Sequence, residues 1–128
     1  MLFLVAGIYG IALSLMIFSS IFTPFLIDLF VVPPYTLGTH GADWEYWHGV
    51  GCAFVGIIAL LARSWPDRQK LGVAGALAFI YGVWGLQNLR LVLMTDRFGP
   101  LMWAHVALCL AVGVFGLVTA LRLRAASS

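Results

Sequence analysis

Four long apolar runs dominate this chain, Leu2 to Phe22, Tyr46 to Leu61, Leu71 to Met94 and Leu101 to Leu121, and Arg90 is the only charged residue inside them. A hydrocarbon core about 30 Å thick takes about 20 apolar residues to cross as a helix, so runs of this length read as membrane spans. A closed barrel is the other way to satisfy backbone hydrogen bonds in lipid. It is built from short alternating strands, which continuous apolar runs do not provide. The composition points the same way, with 62% hydrophobic and 9% charged residues, where a soluble domain carries about a quarter charged. The expectation is an all-α integral membrane protein, a single domain over residues 1–128, with four transmembrane helices running up-down-up-down. The first run lacks the basic start and small-residue cleavage site of a signal peptide and reads as a retained helix.

Orientation follows from the basic residues. Arg63, Arg68 and Lys70 lie in the second connection, and Arg122 and Arg124 follow the last run. These segments should face the cytoplasm, which puts both termini inside a membrane of bacterial inner-membrane type. Asp43, Glu45, Asp96 and Arg97, three acidic residues and one basic, lie on the opposite side. The net charge of +2 is then a topology signal. No basic patch stands apart from the helix ends, so nucleic acid is not an expected partner.

The second constraint is a repeat. His48-x3-Cys52-x2-Val55-Gly56-x3-Leu60 returns as His105-x3-Cys109-x2-Val112-Gly113-x3-Leu117, 57 residues on. Ahead of each copy stands a shared string, Ala6-Gly7-Ile8-Tyr9-Gly10 and Ala78-Phe79-Ile80-Tyr81-Gly82, 72 residues apart. The expected architecture is a tandem duplication of a two-helix unit, the first copy having the longer internal connection. A pseudo-twofold axis should run along the membrane normal.

Local signals refine this picture. Thr23-Pro24 and Pro33-Pro34 end or kink the regular span after the first run, because proline breaks the helical ladder. The apolar piece Phe25 to Val32 is expected to lie along the outer interface. Tyr35, Trp44, Tyr46 and Trp47 crowd rings ahead of the second run, as in an interfacial belt. The brief connection Asp67 to Lys70 makes the second and third helices antiparallel neighbours. Ala74, Ala78 and Gly82, four apart, form a face that lets another helix backbone come close. Pro100 suits a helix start.

The polar residues inside the runs collect near the outer side. His48 and His105 share a depth, counting ~1.5 Å per residue, and Gln87, Asn88 and Arg90 end the third run at the same level. Two imidazoles at one depth on different helices are what a bis-histidine haem b requires; a single one could hold the magnesium of a chlorophyll-type pigment. The plainer reading is an interfacial imidazole bonded to a carbonyl, to water, or to Asp43 or Glu45. Cys52 and Cys109 lie four residues beyond their histidines, on the same helix faces. With His48 and His105 they would make a nitrogen–sulfur metal site if both faces converged. Helices 2 and 4 are diagonal in an up-down-up-down bundle, which opposes that convergence and a disulfide alike; buried cysteine is otherwise a small apolar filler.

Arg90 can anchor a lipid headgroup or an anionic ligand, with Asn88 and Gln87 beside it, or it can snorkel to water or pair with Asp96. Gln87 and Asn88 otherwise serve as interhelical hydrogen-bonding groups. Tyr9 and Tyr81, at equivalent repeat positions, each need a partner for the hydroxyl. No nucleophilic arrangement of serine, histidine and aspartate occurs, and no glycine-rich phosphate loop follows a strand. The expectation is not an enzyme.

Four helices in 128 residues, the Ile8-Tyr9-Gly10 and Ile80-Tyr81-Gly82 strings and the tandem two-helix symmetry resemble the DoxX-like group of small membrane proteins. The resemblance implies a four-helix membrane bundle. Members of that group often carry an arginine early in the second helix, where this chain has His48. The function expected from the whole is a non-catalytic accessory or structural subunit of a larger membrane assembly, bioenergetic or photosynthetic, with the lipid bilayer and other integral membrane subunits, or copies of itself, as partners. The alternatives are a haem-binding electron-transfer protein using His48 and His105, and a carrier of lipid or anionic ligand using Arg90.

Overall fold

The computed structural model describes the backbone of residues 1–22, 39–95 and 98–127, and side chains at 1–19, 47–95 and 98–127. Within them the chain forms four helices and no β-strand: α1 Leu2–Phe22, α2 Thr39–Ala62, α3 Asp67–Met94 and α4 Pro100–Ser127. The piece Phe25 to Val32, its flanking prolines, and the side chains of Asp43, Glu45, Asp96 and Arg97 lie outside the described residues.

The start of α1 and the end of α3 fall where the apolar runs place them. The others overrun those limits: α2 begins at Thr39 rather than Tyr46, α3 at Asp67 rather than Leu71, and α4 continues past Leu121 to Ser127. Apolarity marks where lipid would be, whereas hydrogen bonding decides where a helix begins. At the start of α3, Pro66 is extended, and its carbonyl accepts from the amides of Gln69 and Lys70 at 2.9 and 3.0 Å. Asp67 supplies the negative charge that a helix N-terminus favours, and Lys70 Nζ reaches it at 3.2 Å.

Three of the helices, α1, α3 and α4, are long and apolar enough to cross a membrane. The corresponding stretch of α2, Trp47–Ala62, is shorter, about 24 Å at ~1.5 Å per residue. Among the described residues, length and composition therefore support three of the four spans read from the sequence.

The helices associate as two antiparallel hairpins. α1 packs along α2, and α3 along α4; the hairpins then meet on a narrower seam where α1 touches α3 and α4 and where α2 touches α3. Helices α2 and α4 are the diagonal pair and do not approach one another within the described residues.

Each hairpin closes on glycine. A Cβ placed on Gly10 would lie 2.9 Å from the Cα of Gly56, and one on Gly56 would lie 2.8 Å from the amide nitrogen of Ile11. In the second hairpin a Cβ on Gly113 would lie 2.9 Å from the nitrogen of Gly82, and one on Gly116 2.8 Å from that of Ala78. Backbone thus meets backbone at both crossings, on α3 through the Ala78 and Gly82 face that its spacing predicts. Gly10 with Gly56 and Gly82 with Gly113 occupy the same positions in the matching sequence strings, at offsets of 72 and 57.

A buried cluster joins all four helices along the seam, from Leu2 and Ala6 through Ala59 and Ala74 to Tyr81 and Cys109. The outer faces carry large apolar side chains, among them Phe54, Leu86 and Val114, and Phe79 is 72% exposed. Hydroxyls inside the helices bond to the preceding turn, Thr119 to Phe115 O at 2.8 Å and Ser19 to Met16 O at 2.8 Å. Among the described residues, no buried side-chain nitrogen or oxygen lacks a hydrogen-bond partner.

Candidate functional site: a histidine shared by three helices

Pro100 starts α4, which brings His105 into its second turn and Cys109 one turn further along the same face. Asn88 lies in the facing part of α3, two turns short of its end, because α3 and α4 run antiparallel from their crossing at Gly82 and Gly113. From α1, across the seam, comes Tyr9. The four side chains meet. The Tyr9 hydroxyl is hydrogen-bonded to His105 Nδ1. On the other side of the ring the Asn88 amide nitrogen is 3.0 Å from Nε2. Cys109 Sγ completes the group, 3.7 Å from Nε2 and 3.9 Å from the Tyr9 oxygen.

The donors can be assigned by following the protons. With the Asn88 nitrogen donating to Nε2, Nδ1 carries the ring proton and donates to the Tyr9 oxygen; the phenolic hydrogen is then directed at Cys109 Sγ. If the amide turns end for end, its oxygen accepts from Nε2–H, and Nδ1 accepts from Tyr9 instead. An amide offers donor and acceptor from nearly the same place, so both arrangements satisfy the ring.

A ladder of rings leads away from this centre. Tyr9 is 6.0 Å from both the His105 and Tyr81 ring centroids, Tyr81 is edge-on to Trp84 at 5.7 Å, and Trp84 meets the His48 ring at 5.5 Å. Tyr81, fully buried, gives its hydroxyl proton to the carbonyl of Ala6 at 3.2 Å. The rings thus connect the two imidazoles, which sit on the diagonal helices α2 and α4.

Of the residues singled out from sequence, His105, Asn88 and Cys109 come together. His48 stands apart on Trp84, and Cys52 packs with Leu13 and Ile17 inside the first hairpin. Gln87 and Arg90 are exposed on α3, away from the cluster. Among the described residues, no group of three or more histidine, cysteine, aspartate or glutamate side chains is assembled for a metal ion. Iron held by His105 would have to displace its Tyr9 or its Asn88 contact.

The two matching strings of sequence allow the surroundings of the two histidines to be compared position by position. A twofold relation between the strings would put Tyr81 on His48 as Tyr9 is on His105, but Trp84 and Asn88 stand where Ala12 and Met16 lie 72 residues earlier. Trp84 lies beside His48, and among the described residues His105 is the histidine with an amide partner. Sequence reasoning missed Trp84. Its signal was there: it lies three residues after Tyr81 and four before Asn88, on one helix face. Comparison with known proteins returns no match among family models, curated proteins or solved structures.

Proposed function

We propose that this chain is a non-catalytic accessory or structural subunit of a larger membrane assembly. One observation carries the reading. The exposed faces bear large apolar side chains while the inward polar ones, Tyr9, Tyr81, Asn88 and His105, bond to one another or to backbone. In lipid, helices associate through close packing and interhelical hydrogen bonds, and this interior uses both to hold a shape. Four transmembrane helices with both termini in the cytoplasm, and a tandem origin reflected in the paired glycine crossings, belong to the same proposal. So does kinship with the DoxX-like group, whose Ile-Tyr-Gly strings here supply Tyr9 and Tyr81.

Purification from native membranes in a mild detergent tests the idea. A tagged chain should travel on native gels with other integral membrane subunits at fixed stoichiometry. A lone monomer that brings down no other membrane protein would refute it.

A second reading has its own observation. Arg90 is exposed on α3 beside the exposed Leu93 and Met94, a guanidinium at an apolar surface, which is the setting for an anionic lipid headgroup. An embedded guanidinium costs about 2.5 to 3.5 kcal/mol at mid-helix on insertion scales and less near a helix end, where Arg90 lies, and a phosphate partner would offset that smaller cost. Arg90→Ala should lower the anionic lipid retained through purification, measured by mass spectrometry of the extracted lipids. Equal retention by both proteins removes the reading.

A further inference from the structure

The geometry points to Tyr9 as a redox-active phenol, a one-electron donor whose proton passes to His105. A phenol that loses an electron becomes strongly acidic, and a separated charge is costly in an apolar interior. The electron and proton must therefore leave together, and a base must already be in place. For Tyr9 the base is His105 Nδ1, hydrogen-bonded to the phenolic oxygen. Tyr81 has no such base, since its hydroxyl is bonded to the Ala6 carbonyl.

The step balances as follows. With the Asn88 oxygen facing Nε2–H, the Tyr9 oxygen–hydrogen bond breaks, its proton forms a bond to Nδ1, and one electron leaves the ring. The products are a neutral phenoxyl radical and an imidazolium. Nδ1–H then donates to the phenoxyl oxygen, and Nε2–H continues to donate to Asn88, so each polar atom keeps a partner. Re-reduction returns the proton along the same bond. The electron's path is the ring ladder through Tyr81 to Trp84, with centroid steps of 6.0 and 5.7 Å. Its acceptor is a one-electron oxidant of the metal-centre class, held by a neighbouring subunit. That source rests on the accessory-subunit reading; the chemistry at Tyr9 does not.

The test uses the purified full chain in nanodiscs, oxidised by photogenerated tris(bipyridine)ruthenium(III) and followed by electron paramagnetic resonance and transient absorption. The wild-type protein should give a neutral phenoxyl signal that forms more slowly in heavy water. Tyr9→Phe should leave an indole radical in its place. His105→Gln should slow phenoxyl formation by roughly a hundredfold, the lower end for a positioned base. His105 also ties helices together, so the isotope effect, which needs no variant, stands as the independent measurement. A phenoxyl signal that persists in Tyr9→Phe, or wild-type kinetics unchanged in heavy water, overturns the assignment. Copurification with partners is unaffected by either result, so the two proposals fail separately.

Discussion

Gly113→Leu should leave the α3/α4 hairpin unable to close, with a loss of more than about 3 kcal/mol, above the usual range for overpacking because the obstacle is backbone. The new Cβ would sit 2.9 Å from the nitrogen of Gly82 and 3.1 Å from its Cα, neither of which can swing aside. Even Gly113→Ala should destabilise. The opposite side of the same contact provides the control, since a Cβ built on Gly82 meets nothing within 4 Å. Gly82→Ala should therefore be neutral, or stabilising by up to about 1 kcal/mol through helix propensity. Reversible unfolding in mixed micelles, followed by circular dichroism, gives both values. If Gly82→Ala and Gly113→Ala cost the same, the crossing is not as described.

Tyr81→Ala is the second large effect. Tyr81 is completely buried at the seam, with Tyr9 on one side and Trp84 on the other. Truncation opens a cavity there and should cost about 3 to 5 kcal/mol, as for other buried aromatic residues. Tyr81→Phe keeps the ring and loses only the bond to Ala6, which should cost about 0.6 kcal/mol, the average for such bonds between membrane helices. The same unfolding assay resolves the pair. A Phe variant as unstable as the Ala variant would mean that the hydroxyl, not the ring, holds the seam.

The parts of this fold legible in the sequence are those governed by apolarity and spacing. Leu2 marked the start of α1 and Met94 the end of α3, and Ala74, Ala78 and Gly82 identified the face of α3 that meets α4. The first turns of α2 and α3 were hidden because Thr39 to Glu45 and Asp67 to Lys70 are polar, and a search for lipid-facing residues passes over a helix that begins in polar sequence. The site was legible by half. His105, Asn88 and Cys109 could be placed at one level, and Tyr9 was known to need a partner. Which imidazole would acquire the network was not legible, because the repeat makes the two look alike. That choice depends on Trp84 and Asn88 replacing the Ala12 and Met16 of the first copy, a difference that matters only once the helices are docked.

The contrast between tight hairpins and a narrow seam also implies an order of events. The chain is made from its N-terminus, and the Gly10/Gly56 crossing needs nothing beyond Ala62. The first hairpin can therefore close while α3 and α4 are still being made, and the second can close on its own glycines in turn. The bond between Tyr9 and His105 joins residues 96 positions apart and can form only when the finished hairpins meet. The hydrogen bond between Tyr9 and His105, like the one from Tyr81 to the Ala6 carbonyl, therefore reports that both halves have met.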